Sequence, residues 1–305
     1  MMSNKIIKKI GYALVNIILA ISAIFWVVRL SPGDPIEKIL GPEAKIGDIQ
    51  KYRTQLGLDL PMGDQYIAYL KDLVHGDFGT SLFKGKEVLS LLSEHFPPTM
   101  VLALTSVLFS SIIGTFLGIL SGYKKSQMFD GVTRIVSLLA LAFPIFSLAP
   151  ILVLVFSIRL GWLPVSEWGG ISHAILPILT LTIPLSAVIL RVARNKFLEE
   201  CHGPWVQVLR AKGMSEKAVL WRLTKVCFPT ILNVVAIQLS VVLAGTMISE
   251  TIFDIPGMGS LLFEAIQNRD YPLVQGLITY TTIIYMLVYF AVDFVNQWLD
   301  PRISA

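Results

Sequence analysis

Charge is scarce in this sequence. Only 15% of its 305 residues are Asp, Glu, Lys or Arg, whereas a soluble globular chain carries about 25%. The shortage is uneven. Several apolar runs of 18 residues or more hold almost no charge, and the charges gather between them. A single large soluble core is thereby excluded. Cysteine is nearly absent as well: Cys201 and Cys227 are the only two. Neither belongs to a CxxC pair, and His202 alone completes no metal site, so a disulfide scaffold and a thiolate metal centre are excluded. No HExxH, GxSxG or Cys/His cluster occurs, and His75, His95, His173 and His202 lie scattered. The nearest approach to a phosphate-binding loop is Gly79–Glu87. Five residues, one too many, separate Gly79 from Gly85, and Glu87 stands where a Ser or Thr would reach Mg²⁺. No catalytic residue, cofactor or metal ligand is expected in this chain.

What is present is hydrophobic: 54% of the residues, with a mean hydropathy of +0.68. The first apolar run, Ile10–Leu30, follows Lys5, Lys8 and Lys9. It is too long for the core of a signal peptide and no A-x-A site follows, so a retained helix is expected. A polar stretch, Ser31–Pro98, comes next, with amphipathic patches at Ile49–Leu56 and Gln65–Val74. Five further spans follow: Thr99–Gly122, Val132–Leu160 (interrupted by Pro144 and Pro150), Ala174–Ala193, Thr230–Ser249 and Leu273–Leu299. Each meets the length of about 20 residues that crosses a bilayer core of about 30 Å. The internal prolines suit either kinked helices around a pathway or ordinary helix packing.

Lys and Arg set the orientation. With the N-terminus inside, the inner segments hold Lys124, Lys125 and Arg134, and then Arg191, Arg194, Lys196, Arg210, Lys212, Lys217, Arg222 and Lys225. The short outer segments hold Arg159 and Arg269. The net charge of +4 sits beside membrane spans and forms no separate basic domain, so nucleic acid is not an expected partner. The expected organisation is a tail and first span over 1–30, an outer loop over 31–98, a five-span core over 99–299 and a tail over 300–305. Mid-span positions carry Ser, Thr, Asn and Gln, with Glu250 and Asp293 near span ends. An ion-coupled carrier keeps ionisable groups in mid-span, so the energy source is expected outside this chain. Polar residues of spans three to five are the candidates to line a pathway: Ser147, Thr180, Thr182, Ser186, Asn233, Gln238 and Ser240.

The inner connection 191–229 is long. Pro204 suits the first turn of a helix, Gly213 the position just past a helix end, and Ser215 the cap of a second helix. Helix, glycine turn, helix is the reading. Trp205, Val206, Val208, Leu209 and Lys212 give the first helix an apolar face with a basic edge. Periodicity leaves two uses open: docking a partner, or lying on the membrane surface.

Motifs decide further. Arg191-Val192-Ala193-Arg194, followed by Arg210-Ala211-Lys212-Gly213-Met214-Ser215-Glu216, resembles the cytoplasmic signature of binding-protein-dependent ABC permeases. Further matches run along the chain in order: Leu30–Pro35, Gly41–Ala44, Leu56–Asp59, Gly76–Ser81, Ile252–Gly259, Arg269–Pro272 and Leu299–Arg302. Together they resemble the B-type permease of the dipeptide, oligopeptide and nickel importer family. Cys201–Pro204 departs from that family's acidic and aromatic pattern. The resemblance implies an all-α membrane protein, a six-transmembrane-helix type I ABC importer permease bundle. It would sit in the bacterial plasma (inner) membrane with both termini cytoplasmic. It implies a homologous second permease, two ATPase subunits that bind ATP and Mg²⁺, an extracytoplasmic substrate-binding protein and surrounding lipid as partners. It implies that Trp205, Val206, Val208, Leu209, Arg210, Ala211, Lys212, Gly213 and Glu216 couple to the ATPase. Peptides are the expected substrate, with nickel or another metal chelate as the alternative within the family. A stand-alone channel or secondary carrier is the alternative of another class.

Overall fold

The computed structural model describes residues 2–30, 35–40, 46–55, 57–124 and 127–299. The motif residues Ser31–Asp34, Gly41–Ala44, Leu56 and Asp300–Arg302 lie outside the described residues. Among those described, regular structure is helical throughout, apart from one isolated antiparallel bridge between Thr80 and Glu87. Among the described residues, five helices are long and apolar enough to cross a membrane: Gly11–Leu30, Val88–Lys124, Ile171–Cys201, Glu216–Leu243 and Tyr271–Val295. A bent pair, Met128–Ala142 with Ile145–Arg159, makes a sixth span if counted as one. The chain divides into two compact units, residues 1–97 with 256–286, and residues 98–255 with 287–305.

The first unit holds α1 (Met2–Leu30), α2 (Pro35–Leu40), α3 (Ile46–Gln55), α4 (Met62–Val74), the first turns of α5 (Val88–Lys124), α12 (Met258–Asn268) and most of α13 (Tyr271–Leu299). Val28, Leu91, Leu92, Leu261, Leu273 and Leu277 form its core. The rings of Phe25, Tyr66 and Tyr69 join α1 to α4. The loop before α5 is ordered by one carboxylate. Asp270, buried at the start of α13, accepts from Ser81 Oγ (2.5 Å), from the backbone N–H of Leu82 (3.2 Å) and Phe83 (3.3 Å), and from Leu273 N–H (3.3 Å). Two motifs read separately in the sequence, Gly76–Ser81 and Arg269–Pro272, thus meet around a single side chain.

The second unit holds the rest of α5, α6 (Gln127–Ala142), α7 (Ile145–Leu152) with a π-helical turn over Val153–Arg159, α8 (Ile171–Cys201), α9 (Pro204–Ala211), α10 (Glu216–Gly245) and α11 (Met247–Ile252). The third expected span is sharper than a kink: α6 and α7 meet at 104°. The break falls at Phe143–Pro144, where proline drives its predecessor out of the helical region. Pro150, expected as a second interruption, stays inside α7. It lacks the N–H that would serve the preceding turn, and the backbone widens to π geometry three residues later. Pro177, Pro184 and Pro229 also remain within unbroken helices.

A stripe of small residues draws α5 against α8. Gly114, Gly118 and Gly122 recur every fourth residue. A Cβ at Gly114 would lie 2.7 Å from the Ser186 carbonyl oxygen, one at Gly118 2.6 Å from that of Leu190, and one at Gly122 2.7 Å from the Phe197 ring. Apolar helices gain nothing from leaving lipid for one another except close packing, so backbone-to-backbone approach at glycine is the source of their attraction.

Candidate functional site

The site is the segment that leaves α8, forms α9 and enters α10. In the last turns of α8, Lys196 pairs with Glu200 at 2.7 Å and with Glu199 at 3.4 Å. Glu200 also accepts from the Trp205 indole N–H at 3.2 Å, which fastens the first turn of α9 to the end of α8. The Cys201–Pro204 departure leaves this geometry intact. Gly203 takes the extended backbone of an N-cap and Pro204 opens the helix as expected.

The end of α9 is a complete glycine cap. Met214 N–H donates to the Leu209 carbonyl (3.2 Å) and Gly213 N–H to that of Arg210 (2.9 Å), with Gly213 at φ +74°. A side chain at that φ would be strained, which is why glycine is needed there. Arg210 then bridges the turn to Glu216, Nε to Oε1 at 2.9 Å and Nη2 to Oε2 at 3.2 Å. This carboxylate pushes the guanidinium above its ordinary range. Ser215 occupies the N-cap of α10 as expected, but its hydroxyl makes no capping bond.

The apolar residues of α9 divide between two roles. Val206 is fully buried with Phe197 of α8 and Val219, Leu223 and Cys227 of α10. Trp205, Leu209 and Met214 pack partly against the same cluster. Val208 is 52% exposed, and Gln207, Arg210, Ala211, Lys212, Gly213 and Glu216 share the outer surface with it. Val206 therefore anchors the short helix to its own chain, and the expected apolar grip on a partner reduces to Val208 and the outer edge of Leu209. Two turns before the end of α8, Arg194 clasps Asp130 of α6, Nε to Oδ1 at 2.5 Å and Nη2 to Oδ2 at 2.7 Å. Ser121 donates to the same carboxylate at 2.7 Å. Val206 thus joins α9 to α8 and α10, and α8 is tied to α5 by glycine and to α6 by an ion pair.

The seven pathway candidates lie away from two cavities of the second unit. Neither a groove of about 750 Å³ between α5 and α10 nor a pocket of about 210 Å³ beneath Arg210 and Glu216 is lined by any of them. Thr180 and Thr182 are buried, their hydroxyls donating to the carbonyls of Leu176 (2.8 Å) and Ser106 (3.4 Å). Gln238 and Ser240 are buried too, and Ser240 donates to the Ala236 carbonyl. Ser147, Ser186 and Asn233 are half-buried. A hydroxyl on an apolar helix can satisfy itself on the carbonyl one turn back, so polarity alone does not mark a pore.

Sequence reasoning passed over two features. The glycine stripe was legible as a four-residue spacing of small residues at 114, 118 and 122. Asp130 carried no local signal, because its partner lies 64 residues away.

Comparison with known proteins follows the same geography. The family model for the inner membrane component of binding-protein-dependent transport systems matches residues 114–305. The model for the N-terminal part of such membrane components matches residues 2–103. A probable peptide ABC transporter permease protein, y4tP of Sinorhizobium fredii, is 34% identical over 289 residues, 92% of either chain. The glutathione transport system permease protein GsiC of Escherichia coli is 32% identical over 304 residues, 99% of either chain. The MetNI methionine ABC transporter, solved in an inward-facing conformation, matches in fold with a TM-score of 0.55 at 18% identity, over 69% of this chain and 97% of that one.

Proposed function

The chain belongs to the family of inner membrane components of binding-protein-dependent transport systems, and from that premise we propose that it forms half of the translocation pathway of an ABC importer for peptides. Two relatives support the substrate class: one is named for peptides, the other for glutathione, itself a tripeptide. The second permease, two ATPase subunits that supply ATP and Mg²⁺ chemistry, and an external binding protein complete the machine. Both termini face the cytoplasm in this reading, which the run of Lys and Arg between spans four and five supports.

One observation carries the coupling role: the division of α9 between an inner anchor and an outer tip. A helix transmits force only if it is held at both ends. Val206 fixes α9 inside the chain. Val208, ringed by Gln207, Arg210, Ala211 and Lys212, presents a small apolar centre with a polar rim, the pattern of a protein contact. The same exposed face is a poor membrane-surface helix, since one valine gives little apolar area to bury in lipid. ATP-driven closure of the ATPase pair would move α9, and with it α8 and α10. Of the pathway candidates, we assign the half-buried Ser147, Ser186 and Asn233 to the path. Thr180, Thr182, Gln238 and Ser240 serve it through packing.

The test is ATP hydrolysis by the reconstituted complex with and without loaded binding protein. Val208→Asp places a charge in the dry centre of the contact, and Gly213→Val strains the turn at φ +74°. Both variants are expected to assemble and to lose stimulation by the binding protein. Normal stimulation in both overturns the coupling assignment. A ligand screen on the cognate binding protein, with di- to oligopeptides set against nickel and metal chelates, tests the substrate.

A further inference from the structure

The coupling role leaves the groove between α5 and α10 unused. Its volume of about 750 Å³ lies within the range of small-ligand sites, roughly 300–1,000 Å³. Its walls are almost wholly apolar: Ile112, Phe116, Leu120, Phe228 and Leu232 run along its length. Phe116 is 64% exposed and Trp221 62%. One end is chemically different. Lys217, Trp221 and Tyr123 line that end, and the Lys225 ammonium lies 5.1 Å from the Trp221 ring centre. Among the described residues no acid pairs with Lys217 or Lys225, whereas neighbouring Glu216 is taken by Arg210.

A long apolar slot that ends in the Lys217 ammonium and two interfacial aromatics, with the Lys225 ammonium beside Trp221, has the complement of one kind of molecule. The apolar length matches an acyl chain, and Trp and Tyr settle at the headgroup level. Basic sites between membrane helices attract anionic headgroups. We infer that this groove binds an anionic phospholipid, with an acyl chain along Phe116 and Phe228 and the phosphate held by Lys217 and Lys225. The site adjoins the coupling segment, because Tyr123 and Leu220 line both the groove and the small pocket beneath Arg210 and Glu216. An acyl chain would fill the gap between α5 and α10 and lie against the cluster around Val206, because Ile119, Leu220, Ile231 and Val235 belong to both.

The assembled transporter, extracted in mild detergent, can be offered phosphatidylglycerol and phosphatidylcholine in competition, with retained lipid read by native mass spectrometry. Phosphatidylglycerol is expected to be retained preferentially. K217Q should weaken its retention about fivefold, and K217Q with K225Q together about thirtyfold, as expected for loss of one and two surface cations. Equal retention of the two lipids, or no change in the double variant, overturns the proposal. A benzophenone amino acid in place of Phe116, in the otherwise unaltered complex, reports the occupant directly. A lipid adduct supports the site. Adducts confined to another polypeptide show a protein helix in the groove and overturn it. Neither measurement reads transport or ATP hydrolysis, so the outcome is independent of the coupling assignment.

Discussion

Two aspartates organise the two units, and they are held by opposite means. Asp270, in the first unit, is buried and accepts four hydrogen bonds, every one from a neutral donor: a serine hydroxyl and three backbone N–H groups. Among the described residues no cation pairs with it. Asp130, in the second unit, is part-exposed and held by a bidentate guanidinium, with one serine in support. The first arrangement is a helix-start cap extended to a loop: the carboxylate meets the positive end of α13 and recruits the 81–83 backbone to the same point. The second is a clamp between two helices that closes on charge. The cap therefore depends on burial and geometry, and the clamp on Coulomb attraction and the fork of arginine.

Several substitutions test that contrast. Asp270→Ala should have the largest effect, because it strands a hydroxyl and three backbone N–H groups in a dry site. A cost on the order of 3–5 kcal/mol is expected, seen as a large fall in melting temperature in detergent and as rapid proteolysis between Gly79 and Lys86. Arg194→Gln should cost less, about 1–3 kcal/mol, since Asp130 keeps Ser121 and reaches some solvent. Arg194→Lys should recover only part of that loss, because an ammonium cannot make two parallel bonds. Ser81→Ala removes one of four donors to Asp270 and should cost about 1 kcal/mol in the same melting assay. Raising salt separates the two aspartates without mutation: the difference between Arg194→Gln and the parent should shrink, and that for Asp270→Ala should not. Arg210→Ala marks the floor of the series. Its exposed pair with Glu216 should leave the melting temperature unchanged, and any effect should appear only in stimulated ATP hydrolysis.

The same contrast explains what could be read in advance. Helices α3 and α4, found at Ile46–Gln55 and Met62–Val74, follow the amphipathic patches expected at 49–56 and 65–74, since periodicity is a local property. Pro204, Gly213 and Ser215 took their expected backbone positions for the same reason: proline geometry and the left-handed glycine cap are set by a few adjacent residues. The burial of Val206 was not legible. Val206 and Val208 are alike in chemistry and only two positions apart, and their fates are set by Phe197, Val219 and Leu223, which arrive from α8 and α10. Nor was it legible that Thr180 and Thr182 face α5 and their own helix, since a polar side chain has the same letter in a pore and in a packed seam.

Composition, length and near-neighbour stereochemistry were enough for the membrane class, five unbroken spans and the helix–turn–helix of the inner segment. Tertiary structure alone decided the 104° turn between α6 and α7, the meeting of Ser81 with Asp270 across 189 residues, and the clasp of Arg194 on Asp130. It also decided which valine of α9 is buried and which is exposed. These depend on surfaces that exist only after helices distant in sequence have packed, and short-range patterns carry no record of which distant partner will come within a hydrogen bond's reach.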